Sequence, residues 1–133
     1  MKEAIHTSGK RKHAVARATL KPGKGVTRIN SQRLEFYNPK LARIKIMEAL
    51  QLAGDVAKKV DINVNVFGGG WQAQSEAVRL AIAKSLVEFT KSKELRKTFL
   101  EYDKHLIVAD VRRNEPHKPN DSKPRKKRQK SYR

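Results

Sequence analysis

Residues 61–90 constrain the fold more than any other stretch. Asp61-Ile62-Asn63-Val64-Asn65-Val66-Phe67 alternates apolar and polar side chains, with Ile62, Val64 and Val66 on one side and Asn63 and Asn65 on the other. A period of two is the mark of a strand with one face on a core and one toward water. Gly68-Gly69-Gly70 ends the run, and Trp71 to about Thr90 follows as a long helix with Ala73, Ala77, Leu80, Ala81 and Val87 near one face. Strand and helix in direct succession predict a domain of mixed α and β content.

The remaining elements are read the same way. Residues 1–10 are polar and predicted to be loosely ordered. Ala14, Ala16, Ala18 and Leu20 recur at period two, with Arg17 on the opposite side, and predict a strand. Lys21-Pro22-Gly23-Lys24-Gly25 is a turn, and Val26–Ile29 a second short strand, so the two are expected to pair as a hairpin with a basic tip. Asn38-Pro39 predicts a helix start, with Asn38 as N-cap. Leu41, Ile44, Met47, Leu50 and Ala53 follow at helical spacing, widened by Ile46 and Ala49, and Gly54 supplies a stop. Ser92 is placed to cap a short helix carrying Leu95 and Phe99, and Leu106–Ala109 reads as a last apolar strand. Trp71, Phe36 and Tyr37 either edge the core or stack on bases, and Trp71 is assigned to the core.

Charge divides the chain into three. The formal net charge is +18, of which residues 1–28 contribute +7, residues 29–110 only +3, and residues 111–133 the remaining +8. A nearly balanced middle therefore carries two cationic ends. Such an excess repels itself unless a polyanion neutralises it, and lysines and arginines that meet phosphates release condensed counterions. Pro116, Pro119 and Pro124 oppose regular structure near the C-terminus, and the last eleven residues hold seven basic groups and no acid. That segment buries too little apolar surface to fold alone and is predicted to be an extended tail until bound. The expected organisation is a polar extension over 1–10, a globular domain over 11–110 and a basic tail over 111–133. Tyr132 has nothing nearby to pack against and is expected to contact a partner.

Other classes find little support. No run approaches a membrane span, and neither terminus pairs its charge with an amphipathic apolar face. The start lacks the apolar region of a secretory signal, which predicts a cytoplasmic protein. Zero cysteines exclude a disulfide framework and a thiolate zinc site. His6, His13, His105 and His117 have no ligand-type partner at helical spacing, so neither metal nor cofactor is expected. The triple glycine does not form G-x-G-x-x-G, and no phosphate loop follows Gly9-Lys10 or Gly23-Lys24. No catalytic constellation is visible, and the chain is predicted not to be an enzyme and to take no small-molecule substrate.

Gly9-Lys10-Arg11-Lys12-His13-Ala14-Val15-Ala16-Arg17 resembles the G-x-R-K-x-A-V/I-A-R start of the universal small-subunit ribosomal protein S-nine family. A second stretch is similar too: Gly68, Gly69 and Gly70, then Gln74, Ala81, Ala83, Lys84 and Leu86. Gln129-Lys130-Ser131-Tyr132-Arg133 resembles the archaeal and eukaryotic form of the family's terminus, and the three motifs in order cover nearly the whole chain. The resemblance implies a small α/β sandwich of α+β class. Its four-stranded sheet would pack on helices, with a left-handed βαβ crossover like that of the second domain of ribosomal protein S-five, and the basic tail would extend from it.

The resemblance also implies a place in the head of the small ribosomal subunit, one copy per ribosome, among neighbouring head proteins. Expected contacts with small-subunit rRNA are Lys10, Arg11, Lys12, Arg17, Lys21, Lys24, Gln74, Arg112, Arg113, Arg125, Lys126, Lys127 and Arg128. Lys130, Ser131, Tyr132 and Arg133 are expected at the anticodon stem-loop backbone of peptidyl-site tRNA. A free-standing RNA chaperone would share the charge and the tail, but would not need the two internal motifs.

Overall fold

A computed structural model describes residues 3–133. The alternation at residues 60–67 sets its centre. Val60–Phe67 is a strand whose Val60, Ile62, Val64 and Val66 are buried, while Asn63, Asn65 and Phe67 face outward. In chain order the elements are β1 (Ile5–Arg11), β2 (Ala14–Pro22), β3 (Thr27–Ile29), β4 (Gln32–Arg33), α1 (Lys40–Ala53), β5 (Val60–Phe67), α2 (Trp71–Thr90) and α3 (Lys93–Tyr102). The strands form one mixed sheet in the order β1-β2-β5-β3-β4. The sheet therefore has five strands rather than four, because Ile5–Arg11, expected to be loose, pairs along its length with β2 from Ile5 opposite Leu20 to Arg11 opposite Ala14.

The expected hairpin between β2 and β3 does not form. β5 lies between them, antiparallel to β2 and parallel to β3, with α1 in the connection from β3 to β5. The Lys21–Gly25 turn instead wraps the start of β5. Gly23 and Gly25 donate backbone N–H groups to Lys59 and Val60 at 2.9 and 3.1 Å, and the Asp61 carboxylate accepts from the Lys24 and Val26 N–H groups, both at 2.9 Å. The true hairpin partner of β3 is β4, across Asn30 and Ser31, both at positive φ (49° and 68°) as a tight two-residue hairpin turn requires.

One face of the sheet packs on the helices. Ala14, Ala16, Ala18 and Leu20 of β2 meet the β5 apolar row and Ala77, Val78, Ala81, Ile82 and Leu86 of α2 in one core. Gly9 is needed where β1 crosses α2: a Cβ there would lie 2.2 Å from the Ala77 carbonyl oxygen. The α1 core face is rotated from the expected one. Ala42, Ile46, Ala49 and Ala53 are buried, whereas Leu41 is 67 % exposed and Ile44 and Met47 also face out. Small alanines let helices approach closely, and that contact outranks the larger side chains one step around the helix.

Two ends differ as well. α1 begins at Lys40 with Pro39 in the cap position and no side-chain cap, so Asn38 does not serve as one. Leu106–Ala109 is not a strand. Asp103 accepts the His105 N–H at 2.9 Å and starts a 3-10 turn, Lys104–Leu106, that buries Leu106 against the core. Ser92 does cap α3, its hydroxyl accepting from Leu95 N at 3.3 Å. Trp71, expected inside, is 47 % exposed at the first turn of α2. Past Leu106 no described residue is in a helix or strand, and every residue from 111 to 120 is exposed.

Candidate nucleic-acid interface

The sheet face opposite the helices is bare, and pairing register lines up its side chains. One row runs His6, Thr19, Asn63, Arg28 and Arg33 across all five strands. The next holds Ser8, Arg17 and Asn65, and the next Lys10, Val15 and Phe67. Lys21 stands opposite Asp61 at the far end. Alternation puts Lys10, Arg17 and Lys21 on this face, because their neighbours Gly9, Ala16, Ala18 and Leu20 are in the core. Arg17 stands over the Phe67 ring, its guanidinium carbon 5.8 Å from the ring centroid. Asp61 is the only acid among the described strand residues of this face, and it is engaged: the backbone N–H groups of Val26 and Lys24 hold its carboxyl below the usual range.

Around this face lie two exposed loops. Lys12 occupies the β1–β2 turn at φ 52°, with its side chain in solvent. Lys24 sits at the exposed turn over the start of β5. Lys10, Lys12, Arg17, Lys21 and Lys24 are thus cations clustered around one surface, with no carboxylate partner among the described residues.

Arg11 behaves differently from its neighbours. Its side chain is 13 % exposed and lies between two carboxylates, Nε donating to Glu76 Oε2 at 2.7 Å and Nη1 in ion-pair contact with Asp110 Oδ2 at 2.7 Å. Glu76 also accepts from Lys45 Nζ at 2.7 Å, and Asp110 from Arg112 Nη2 at 2.8 Å. A string of charges, Lys45–Glu76–Arg11–Asp110–Arg112, therefore runs from α1 through α2 and β1 to the root of the C-terminal segment. Burial pushes the Glu76 carboxyl up, but Lys45 and Arg11 together hold it below its ordinary value. Hydrogen bonds from the Arg112 guanidinium and backbone N–H hold Asp110 far lower, and Asp110 in turn raises Arg112.

Gln74 is also occupied within the fold. Its Nε2 donates to the Gly68 carbonyl at 3.1 Å and closes the glycine turn ahead of α2. Gly68 needs its positive φ of 78° there, and a Cβ would lie 2.4 Å from the His13 carbonyl oxygen. A second buried cation, Arg79, bridges Glu48 at 2.6 Å and Asp103 at 2.7 Å.

At the C-terminal segment, Arg112 is exposed but paired to Asp110, and Arg113 donates to the carbonyls of Asp110 and Arg112 at 3.0 and 2.9 Å. Arg125 pairs with Glu115 at 2.9 Å, and Arg128 approaches Asp121 at 3.8 Å. The side chains of Lys126, Lys127, Lys130, Ser131, Tyr132 and Arg133 are exposed and without partners among the described residues, Tyr132 at 83 %. The segment contains only two acids and both already face arginines, so its remaining positive charge is open to an external anion.

Thus Lys10, Lys12, Arg17, Lys21 and Lys24 come together, the terminal cations remain available, and Arg11, Gln74 and Arg112 have partners within the fold. Arg28, Arg33, Asn63, Asn65 and Phe67 escaped the site expected from sequence. The outward half of the β5 alternation was the signal for the last three.

Comparison with known proteins identifies the family. The sequence profile described as "Ribosomal protein S9/S16" matches residues 9–133. The chain is 50 % identical over 133 residues to the small ribosomal subunit protein uS9 of Methanococcus maripaludis, covering 98 % of this chain and 99 % of the relative. It is 48 % identical to the uS9 protein of Methanococcus vannielii over the same shares. The glycines that let β1 cross α2 and close the turn before α2 lie inside the matched span, and with a match from the first motif to the last residue, the chain belongs to the ribosomal protein S9/S16 family.

Proposed function

We propose that this chain is a structural, non-catalytic constituent of the small ribosomal subunit, anchored in the subunit head by rRNA and reaching peptidyl-site tRNA with its C-terminal residues. The observation that carries this is the division of charge. Inside the domain, the buried cations Arg11 and Arg79 are matched to carboxylates, while Lys10, Lys12, Arg17, Lys21 and Lys24 at the bare sheet face and its loops, and most cations of the terminal segment, are not; further exposed lysines on the helical side, such as Lys91 and Lys93, add to the positive charge. The names of the relatives supply the particle.

In this arrangement Lys10, Lys12, Arg17, Lys21 and Lys24 meet rRNA phosphates, which position the domain without reading sequence. Arg113 and the Arg125–Arg128 run continue along the backbone. Lys130, Ser131, Tyr132 and Arg133 meet tRNA through its phosphates, a contact that every tRNA offers alike. The domain spans 11–110 with β1 added to it, and the β3–α1–β5 connection takes the left hand of its family, against the general rule. Each ribosome holds one copy, beside other head proteins.

Removing Ser131-Tyr132-Arg133 is expected to speed tRNA dissociation from the peptidyl site while subunits still assemble. Filter-binding dissociation rates on trimmed and full-length subunits check this. Equal rates refute the tRNA contact, and failure of the full-length chain to co-sediment with small subunits in high salt refutes the placement.

A further inference from the structure

We infer that the bare sheet face holds unpaired RNA, with one base stacked on Phe67 and its neighbours met by Asn65 and Asn63. This rests on the rRNA reading above and specifies the form of RNA that the domain takes. Phe67 is 54 % exposed at the end of β5, with the Arg17 guanidinium over part of its ring. An exposed aromatic alone means little. Here it ends a column, Asn63–Asn65–Phe67, whose members are about 6.6 Å apart along the strand. Both amides are exposed and make no hydrogen bond among the described residues. Each offers a donor and an acceptor, which is what the edge of an unpaired base asks for.

The flanks supply the backbone contacts. Arg17 stands over the ring on the β2 side and is placed to meet the phosphate of the nucleotide stacked there. Arg28, opposite Asn63 on β3, extends the positive charge toward the other edge, where Arg33, opposite Arg28 on β4, is paired with Glu35 at 3.7 Å. Asp61, the only carboxylate among the described strand residues of the face, is held at the rim by the Lys24 and Val26 N–H groups. A duplex would present phosphates to the cations but keep its bases stacked inside, leaving ring and amides unused. Single strands are the RNA form whose bases splay onto aromatic side chains and expose their edges.

The test uses the purified full-length chain and fluorescent oligoribonucleotides, a single-stranded decamer and the same decamer in a duplex, titrated from 50 to 200 mM salt (conditions of about the usual range for such contacts). The single strand is expected to bind more tightly. Phe67→Leu, which keeps apolar bulk but removes the aromatic face, is expected to weaken single-strand binding about tenfold with an unchanged salt slope. Asn63→Ala with Asn65→Ala is expected to act in the same direction. Arg17→Ala is expected to reduce the slope by about one unit. If the Phe67 and Asn variants bind like the parent while the slope persists, the inference falls and the rRNA reading stands. If no salt-dependent RNA binding occurs at all, the rRNA reading itself falls. A photoreactive phenylalanine analogue in place of Phe67, placed in assembled subunits, is expected to crosslink to RNA. Crosslinking to a protein overturns the inference.

Discussion

Arg11→Ala separates the role that a basic motif implies from the role that its packing dictates. Were Arg11 on a phosphate, its loss would lower the salt dependence of RNA binding by about 0.7–0.9 in log–log slope and leave folding stability intact. The structure argues the opposite. The guanidinium is almost enclosed, and its charge-assisted bond to Glu76 lies between β1 and α2. A hydrogen bond to a charged group contributes about 1.5–3 kcal/mol. Glu76 keeps Lys45 and Asp110 keeps Arg112, so neither carboxylate is orphaned by the substitution. The expected cost is therefore near the middle of that range, about 2 kcal/mol. Urea unfolding followed by far-ultraviolet circular dichroism should show a lower midpoint at unchanged m-value. RNA binding measured under folded conditions should keep its slope, whereas Lys12→Ala should flatten it by about one unit. A stable Arg11→Ala protein with a flattened slope would refute the ion-pair assignment.

Two further outcomes follow from packing and charge. Gly9→Ala is expected to cost about 3 kcal/mol, because the added methyl meets backbone rather than a yielding side chain; a urea midpoint equal to the parent's would contradict the close crossing of β1 on α2. In acid, Asp103 is the group to watch. Burial pushes its carboxyl up, yet the His105 N–H and Arg79 hold it below the ordinary 3.8. A depressed acid stabilises the fold above its unfolded value and loses that contribution as pH falls through the folded one, so stability should decline below about pH 4. Arg79→Met should make that decline shallower, and parallel pH–stability curves for the two proteins would exclude the coupling.

Much of the fold was legible locally. The β5 alternation, the long α2 and the Ser92 cap depend on neighbours in sequence, where period and capping chemistry act directly. The pairing of β2 was not legible, because inserting β5 beside it is a choice made across about forty residues of intervening chain. The α1 face was misplaced because hydrophobicity ranks Leu41 and Ile44 above Ala42 and Ala49, whereas helix contact favours the small side chains. Leu106 was correctly apolar, but Asp103 turns the chain before a strand can begin. In the candidate site, strand parity in the sequence put Arg17 on the outer face; Lys10 and Lys21, expected in a loose extension and a turn, reach that face through the pairing of β1 and β2 and of β2 and β5. Arg11 and Gln74 were not legible, since a motif records that a side chain is needed and says nothing of whether its partner is Glu76, a glycine carbonyl or a phosphate.

Asp110 sits where helices and strands have ended and the final 23 residues begin, tied to Arg11 behind it and Arg112 ahead. A tether of that length spans at most roughly 80 Å when drawn straight. On the proposed function, an origin clamped in place and orientation would limit the bearings open to the segment and raise the local concentration of its tip along those that remain. The terminal residues would then owe their aim to an acid that takes no part in the contact itself.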